Sequence, residues 1–136
     1  MDLDKALGIA ARGMDAQTTR LRVIAENLAN QDTTGSTSGA DPYRRKTVTF
    51  QNSLDRQLGG DAVSIKQVGQ DAAEFPLRYD PSNPAANADG YVKLPNVNMM
   101  IEMADMREVN RSYEANLQVV KQVRSMLGMT IDLLRS

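Results

Sequence analysis

The chain has 136 residues, a length that fits one ordinary domain or a small domain carrying long helical extensions. Sixteen Lys plus Arg face seventeen Asp plus Glu, a net charge of -1, which leaves no electrostatic footprint for nucleic acid or an anionic membrane. With no Cys and no His, disulfide frameworks, Cys/His zinc sites and His-based triads are excluded.

The first predicted element is a helix over residues 3–28. Leu3, Leu7, Ala10, Met14, Leu21, Ile24 and Leu28 follow alternating steps of four and three, with Gln17 in the one gap, which is the spacing of a coiled-coil seam. Alanines add helix propensity, while Gly8 and Gly13 each subtract roughly 1 kcal/mol, so the segment is marginal until something covers its stripe. The opening Met1-Asp2-Leu3-Asp4-Lys5 carries two acids and no apolar run behind it, so a secretory signal peptide is not expected. Nor does any stretch approach the ~18 apolar residues of a membrane helix.

The middle of the chain changes character. Asp32 to Gly39 is a polar Gly/Ser/Thr-rich loop with nothing obvious to pack. Short strand-like runs follow at Tyr43 to Phe50, around Val63 and Ile65, at Leu77 to Tyr79 and at Tyr91 to Leu94, with turn chemistry at Asp80-Pro81-Ser82-Asn83-Pro84 and Asp89-Gly90. This small β unit has little apolar mass of its own.

A second, longer helix is predicted from about residue 98 to the end. Met99, Met103, Met106, Tyr113, Leu117, Val120, Leu127, Ile131 and Leu134 keep the four-three register, with Asn110 and Arg124 in the two remaining seam positions and Val109 and Val123 beside them. Asn96 or Asn98 can cap its first turn, and Glu102, Asp105 and Glu108 place acid where the helix dipole favours it. Six of the eight Met lie after residue 98, and unbranched Met side chains adapt to more than one partner surface.

The expected fold is therefore mainly α with a small β insert (α+β) and elongated. Its long N- and C-terminal helices pair as an antiparallel coiled coil. The organisation is an N-terminal helix at 1–30, a flexible loop at 31–42, a β-rich insert at 43–95 and a C-terminal helix at 96–136. Because the helices differ in length, part of the second overhangs, and an exposed apolar stripe on a helix end must find another molecule.

Chemistry-bearing candidates are weak by comparison. The Gly-rich segment 34–39 lacks a following Lys-Ser/Thr and fails as a phosphate loop. Arg44-Arg45-Lys46 reads as a strand start with solvated charges, with phosphate or a neighbouring subunit as the sharper options. Asp80, Asn83, Asn87 and Asp89 do not match a calcium loop and read as turn formers. Glu102 and Asp105 are explained by the helix dipole without acid–base work. Neither an enzyme nor a cofactor or metal is implied, and from the residues alone a soluble coiled-coil adaptor or export chaperone stays open beside an assembling subunit.

Five segments then carry a recognisable pattern. Glu26-Asn27-Leu28-Ala29-Asn30, followed by Gln31-Asp32-Thr33-Thr34-Gly35, resembles the box near the start of flagellar rod, hook and hook-associated proteins. Pro42 to Lys46, Tyr79 to Pro84 and Asp89 to Asn98 resemble the proximal-rod branch of that family. Arg111-Ser112-Tyr113-Glu114-Ala115-Asn116 resembles its C-terminal helix box.

The resemblance implies a structural subunit of the bacterial flagellar basal-body proximal rod, which spans the periplasm. It implies polymerisation through the terminal helices into the helical drive-shaft tube and export through the flagellar type III apparatus without a cleaved signal peptide. Implied partners are other flagellar rod proteins, inner-membrane ring and export-gate components, and copies of itself, with no nucleic acid and no insertion into a lipid bilayer. The candidate assembly residues are Leu3, Leu7, Met14, Leu21, Ile24, Asn27, Leu28 and Asn30 on the first helix, and Met99, Met103, Met106, Asn110, Tyr113, Asn116, Leu117, Val120, Leu127 and Ile131 on the second.

Overall fold

A computed structural model describes residues 2–136. Among them the chain is mixed α+β: helix α1 (Leu3–Ala29), strands β1 (Lys46–Asp55), β2 (Gly60–Gln70), β3 (Leu77–Tyr79) and β4 (Tyr91–Lys93), and helix α2 (Met99–Arg135). The strands form two small two-stranded antiparallel sheets, β1 with β2 and β3 with β4. No described helix is long and apolar enough to cross a membrane.

Local chemistry sets the helix ends. The Asp2 carboxylate accepts the Asp4 N–H at 3.1 Å and caps α1. At the other end the Asn30 backbone N–H donates to the Glu26 carbonyl at 3.1 Å and its side-chain amide donates to the same oxygen at 2.8 Å, closing the last turn. Of the two asparagines able to cap α2, Asn98 does so, its Oδ1 accepting Met100 N at 3.0 Å and Ile101 N at 3.4 Å.

The folded chain comprises two compact units, each drawing on both helices and on the β1–β2 hairpin. The first holds the chain up to Leu21, Thr49–Gln67 and Arg107–Ser136. Its hairpin turn is fixed by Asp55, whose carboxylate accepts Gln57 N and Leu58 N, and by Gly59 at φ 62°, a left-handed conformation that favours glycine. Arg12 grips the Asp55 carboxylate at 3.1 Å and Lys5 Nζ reaches the Gly59 carbonyl at 2.7 Å, so the turn is tied to α1. The glycines that weaken α1 are close-packing positions. A Cβ at Gly8 would lie 2.1 Å from a Leu58 methyl, and one at Gly13 would lie 2.8 Å from the Asn116 amide.

The second unit is Arg22–Val48 with Val68–Met106. Its β3–β4 ladder pairs Leu77 with Lys93, Arg78 with Val92 and Tyr79 with Tyr91. The two tyrosine rings meet edge to face at 5.4 Å. The connection between these strands is built from Asx turns: Asn83 Oδ1 accepts Ala85 N, and Asn87 Oδ1 accepts both Asp89 N and Tyr91 N. The polar loop after α1 is tied to this connection, with Gly39 N donating to Ala85 O at 3.2 Å and Ser38 Oγ to Ala86 O at 2.6 Å.

The apolar core is made of small side chains. Ala10, Ala16, Ala62, Val109 and Val123 are buried in the first unit, and Val23, Ile24, Ala85 and Val92 in the second. Among the described residues no Leu, Met, Phe or Tyr is fully buried. The large apolar side chains that usually anchor a core are here at least partly open to solvent.

Candidate functional site: a polar clasp and two apolar surfaces

The most constrained part of the molecule is a polar cluster inside the second unit. Asn27, near the end of α1, is 1% exposed, and Glu102, in the first turns of α2, is 0% exposed. Burying such groups is costly unless every polar atom finds a partner. Asn27 Oδ1 accepts the Tyr43 hydroxyl at 2.8 Å and Lys46 N at 2.9 Å, while its Nδ2 donates to Lys46 O at 2.9 Å and to Glu102 at 3.3 Å. One side-chain amide thus pairs with the β1 backbone as a neighbouring strand would, and with the buried carboxylate besides.

Arg45 closes the cluster from the other side. Its Nε donates to Glu102, and its two terminal nitrogens reach Asp71 at 3.4 Å and Asp105 at 3.6 Å. Asn96, the asparagine that does not cap α2, accepts Arg45 N at 2.7 Å and donates to the carbonyls of Asp71 and Ala73. Arg44 points its guanidinium to the same two carbonyls and lies 4.2 Å over the Phe75 ring. Beside them Lys46 Nζ pairs with Glu26 at 2.7 Å. Arg45 and Arg44 are thus held by the fold, where the sequence reading expected solvated charges at a strand start.

The electrostatics are those of a closed ion-pair network. Burial works against the Arg45 charge, but the Glu102 hydrogen bond and charge, reinforced by Asp71, outweigh it and raise the Arg45 pKa. Burial raises the Tyr43 phenol. The hydrogen bond between Lys46 and Glu26 lowers the carboxyl and raises the amine. Each of these groups is engaged in holding α1, β1 and α2 together, so the cluster works as a clasp.

The first unit holds a seam between α1 and α2. Gly13 abuts Asn116, and Arg20 reaches Glu108 at 3.5 Å, so contacts that ascend α1 descend α2. Arg20 also lies 5.8 Å over the Phe50 ring. Gln17 sits half-buried on this face, and its Oε1 is enclosed without a hydrogen-bond partner.

A groove of about 560 Å³ opens beside the start of α1, floored by Ala6, Ile9, Ala10 and Val119 and bordered by Asp2, Lys5 and Asn116. Further along α2 the helix is bare and apolar on two faces: Met129 and Leu133 are exposed on one, and Ile131 and Leu134 form a ridge on the other, with Leu133 and Leu134 at 76% and 84%.

The residues singled out from the sequence divide by environment. Ile24 and Asn27 are buried. Leu3, Leu7, Met14, Leu21, Leu28, Asn30, Met106, Asn116, Leu117, Val120 and Leu127 are half-buried. Met99, Met103, Asn110, Tyr113 and Ile131 are exposed. Along α2 the fully covered positions are Glu102, Val109 and Val123, each one residue before a seam position read from the sequence at 103, 110 and 124. Glu102 occupies the covered face because Arg45 and Asn27 neutralise and hydrogen-bond it, which an apolar-periodicity reading does not register. The signal available was the seven-residue spacing of Glu102, Val109, Asn116 and Val123.

Comparison with known proteins fits this geometry. Residues 7–36 match the family described as flagella basal body rod protein, and residues 88–133 match the C-terminal region of flagellar basal body rod FlgEFG proteins. The chain is 56% identical over 134 residues to the flagellar basal-body rod protein FlgC of Agrobacterium fabrum, covering 98% of this chain and 96% of the relative. It is 40% identical to the FlgC of Salmonella typhimurium, covering 98% of each. Against the FlgC of Bacillus subtilis it is 36% identical over 94% of this chain and 95% of the relative.

Proposed function

The chain belongs to the flagellar basal-body rod protein family, and from that premise we propose how its surfaces serve the rod. It is a structural subunit of the basal-body rod of the bacterial flagellum and not an enzyme. In this reading α1 and α2 pair as an antiparallel coiled coil that forms the assembly domain, supported by the opposed order of the Gly13–Asn116 and Arg20–Glu108 contacts. The single observation that carries polymerisation is the placement of the large apolar side chains. Leu, Met and aromatic residues that a self-sufficient domain would bury remain at least partly open here.

The subunit takes a place in the proximal, periplasm-spanning rod. There it contacts copies of itself, other rod proteins and inner-membrane ring or export-gate components, and it arrives through the flagellar type III apparatus. Half-buried Leu3, Leu7, Met14, Leu21, Leu117, Val120 and Leu127, with exposed Met99, Met103, Tyr113 and Ile131, supply the contact surface. Met106, Leu28, Ile24, Asn30, Asn110 and Asn116 hold its register, and Asn27 acts from inside through the clasp. Head-to-tail contact between unlike surfaces, with a rotation that does not close, generates a helical tube.

Electron microscopy of basal bodies from a strain lacking only this gene tests the reading. The rod should be missing beyond the inner-membrane ring, restored by the intact gene and not by a copy without residues 1–30. A complete rod and hook in the deletion strain would overturn it.

A further inference from the structure

We infer that the groove beside the start of α1 receives the apolar ridge at the end of α2 from a second copy of this chain; the inference rests on the rod-subunit reading above. The groove offers about 560 Å³ over an apolar floor of Ala6, Ile9, Ala10 and Val119, enough for more than one aliphatic side chain. The ridge offers such side chains in Ile131 and Leu134, three positions apart on one face of α2 and both exposed. Leaving both uncovered in water forfeits the burial that each would gain from the other.

The ridge does not reach the groove of its own molecule. Val119, in the groove floor, and Ile131, in the ridge, lie on one unbroken helix. At 1.5 Å per residue they are separated by about 18 Å along its axis. A ridge that fills the groove must therefore come from another subunit.

Charge fits the pairing as well. Asp2 and Lys5 border the groove, while Asp132 and Arg135 flank the ridge, so each border charge has an opposite one to meet. Groove and ridge are different surfaces of one chain. Their union is heterologous and leaves a free groove at one end and a free ridge at the other, the geometry of an open array.

The absence of Cys makes the test direct. Two versions of the chain, one with Ile9→Cys and one with Leu134→Cys, are expressed together in a flagellated strain, and isolated basal bodies are mildly oxidised. A disulfide-linked heterodimer should dominate over either homodimer, and should be lost when the groove is filled by adding Ala6→Phe to the Ile9→Cys version. Val119→Cys serves as a second groove position should Ile9→Cys fail to incorporate. Incorporated chains that yield no heterodimer, or a heterodimer indifferent to Ala6→Phe, overturn the docking while leaving the rod reading intact. Absence of the native chain from basal bodies overturns the rod reading, and the docking falls with it.

Discussion

Asn27 and Glu102, 75 positions apart in the chain, meet in the interior of the second unit through a 3.3 Å hydrogen bond. The amide is suited to this place because it donates to the carboxylate while accepting from Tyr43 and from Lys46 N. Replacing it with Asn27→Asp keeps the shape but sets a second carboxylate beside Glu102. The expected loss is about 3 kcal/mol in urea unfolding, the scale for an uncompensated buried charge. Glu102→Ala should cost about 2–4 kcal/mol by leaving Arg45 with only its longer contacts. A double-mutant cycle with Arg45→Met should show that most of this loss is coupling between the two residues.

Glycine-to-alanine substitutions are expected to split by sign. Helix propensity alone favours Ala at every helical Gly by about 1 kcal/mol. At Gly128 nothing lies within 4 Å of the added Cβ, so Gly128→Ala should raise stability by about that amount. At Gly8 the Cβ would meet both Leu58 methyls and Leu58 Cγ within 3.2 Å, so Gly8→Ala should destabilise by about 1 kcal/mol net. Thermal melts of the two variants settle the contrast, and a rise for Gly8→Ala would show that Leu58 does not pack there.

Gln17 carries an enclosed amide oxygen without a partner. An unsatisfied buried acceptor costs about 1–3 kcal/mol, and a methionine of similar length removes it without opening a cavity. Gln17→Met is therefore expected to stabilise the free subunit by about 1 kcal/mol. An unfolding midpoint at or below that of the native chain would show that the oxygen is satisfied in solution.

Acid should weaken the fold through two carboxylates. The Lys46 hydrogen bond lowers Glu26 from its ordinary 4.5. For Asp55, burial opposes ionisation, but the backbone donors Gln57 and Leu58, with Arg12, outweigh it and lower the pKa from 3.8. A carboxyl depressed in the folded state adds stability that is present above its unfolded value and lost as pH falls through its folded one. Urea midpoints should hold from pH 7 to about 5 and then decline, and Glu26→Gln should make the decline shallower. Lys46, raised in the fold, stays charged throughout this range and contributes no slope of its own.

Both helices were legible in the sequence, because a four-three apolar rhythm and capping residues are local signals. The rhythm over residues 3–28 corresponds to Leu3–Ala29 and that from about 98 to Met99–Arg135. The strand runs and the Asx turns around Asn83 and Asn87 were legible for the same reason. The clasp was not. Arg45 and Glu102 are 57 positions apart, and each taken alone is explained by its own neighbourhood, one as a charged strand start and the other as an acid in a first turn. Only the fold shows that the two explanations are one. The one-residue offset of the covered face of α2 has a related origin, since periodicity scores a residue by its own polarity and not by the partner that offsets it.

The clasp also sets a timetable. Its members come from Asn27, Arg45, Asp71, Asn96, Glu102 and Asp105, so the buried carboxylate that Asn27 and Arg45 share arrives only when most of the chain has followed. A chain emerging N-terminus first, from a ribosome or from a narrow conduit, can pair Asn27 with Tyr43 and Lys46 early, but its Arg45 guanidinium waits for Asp71, Glu102 and Asp105. Until Glu102 appears, the clasp of the second unit stays open at its centre.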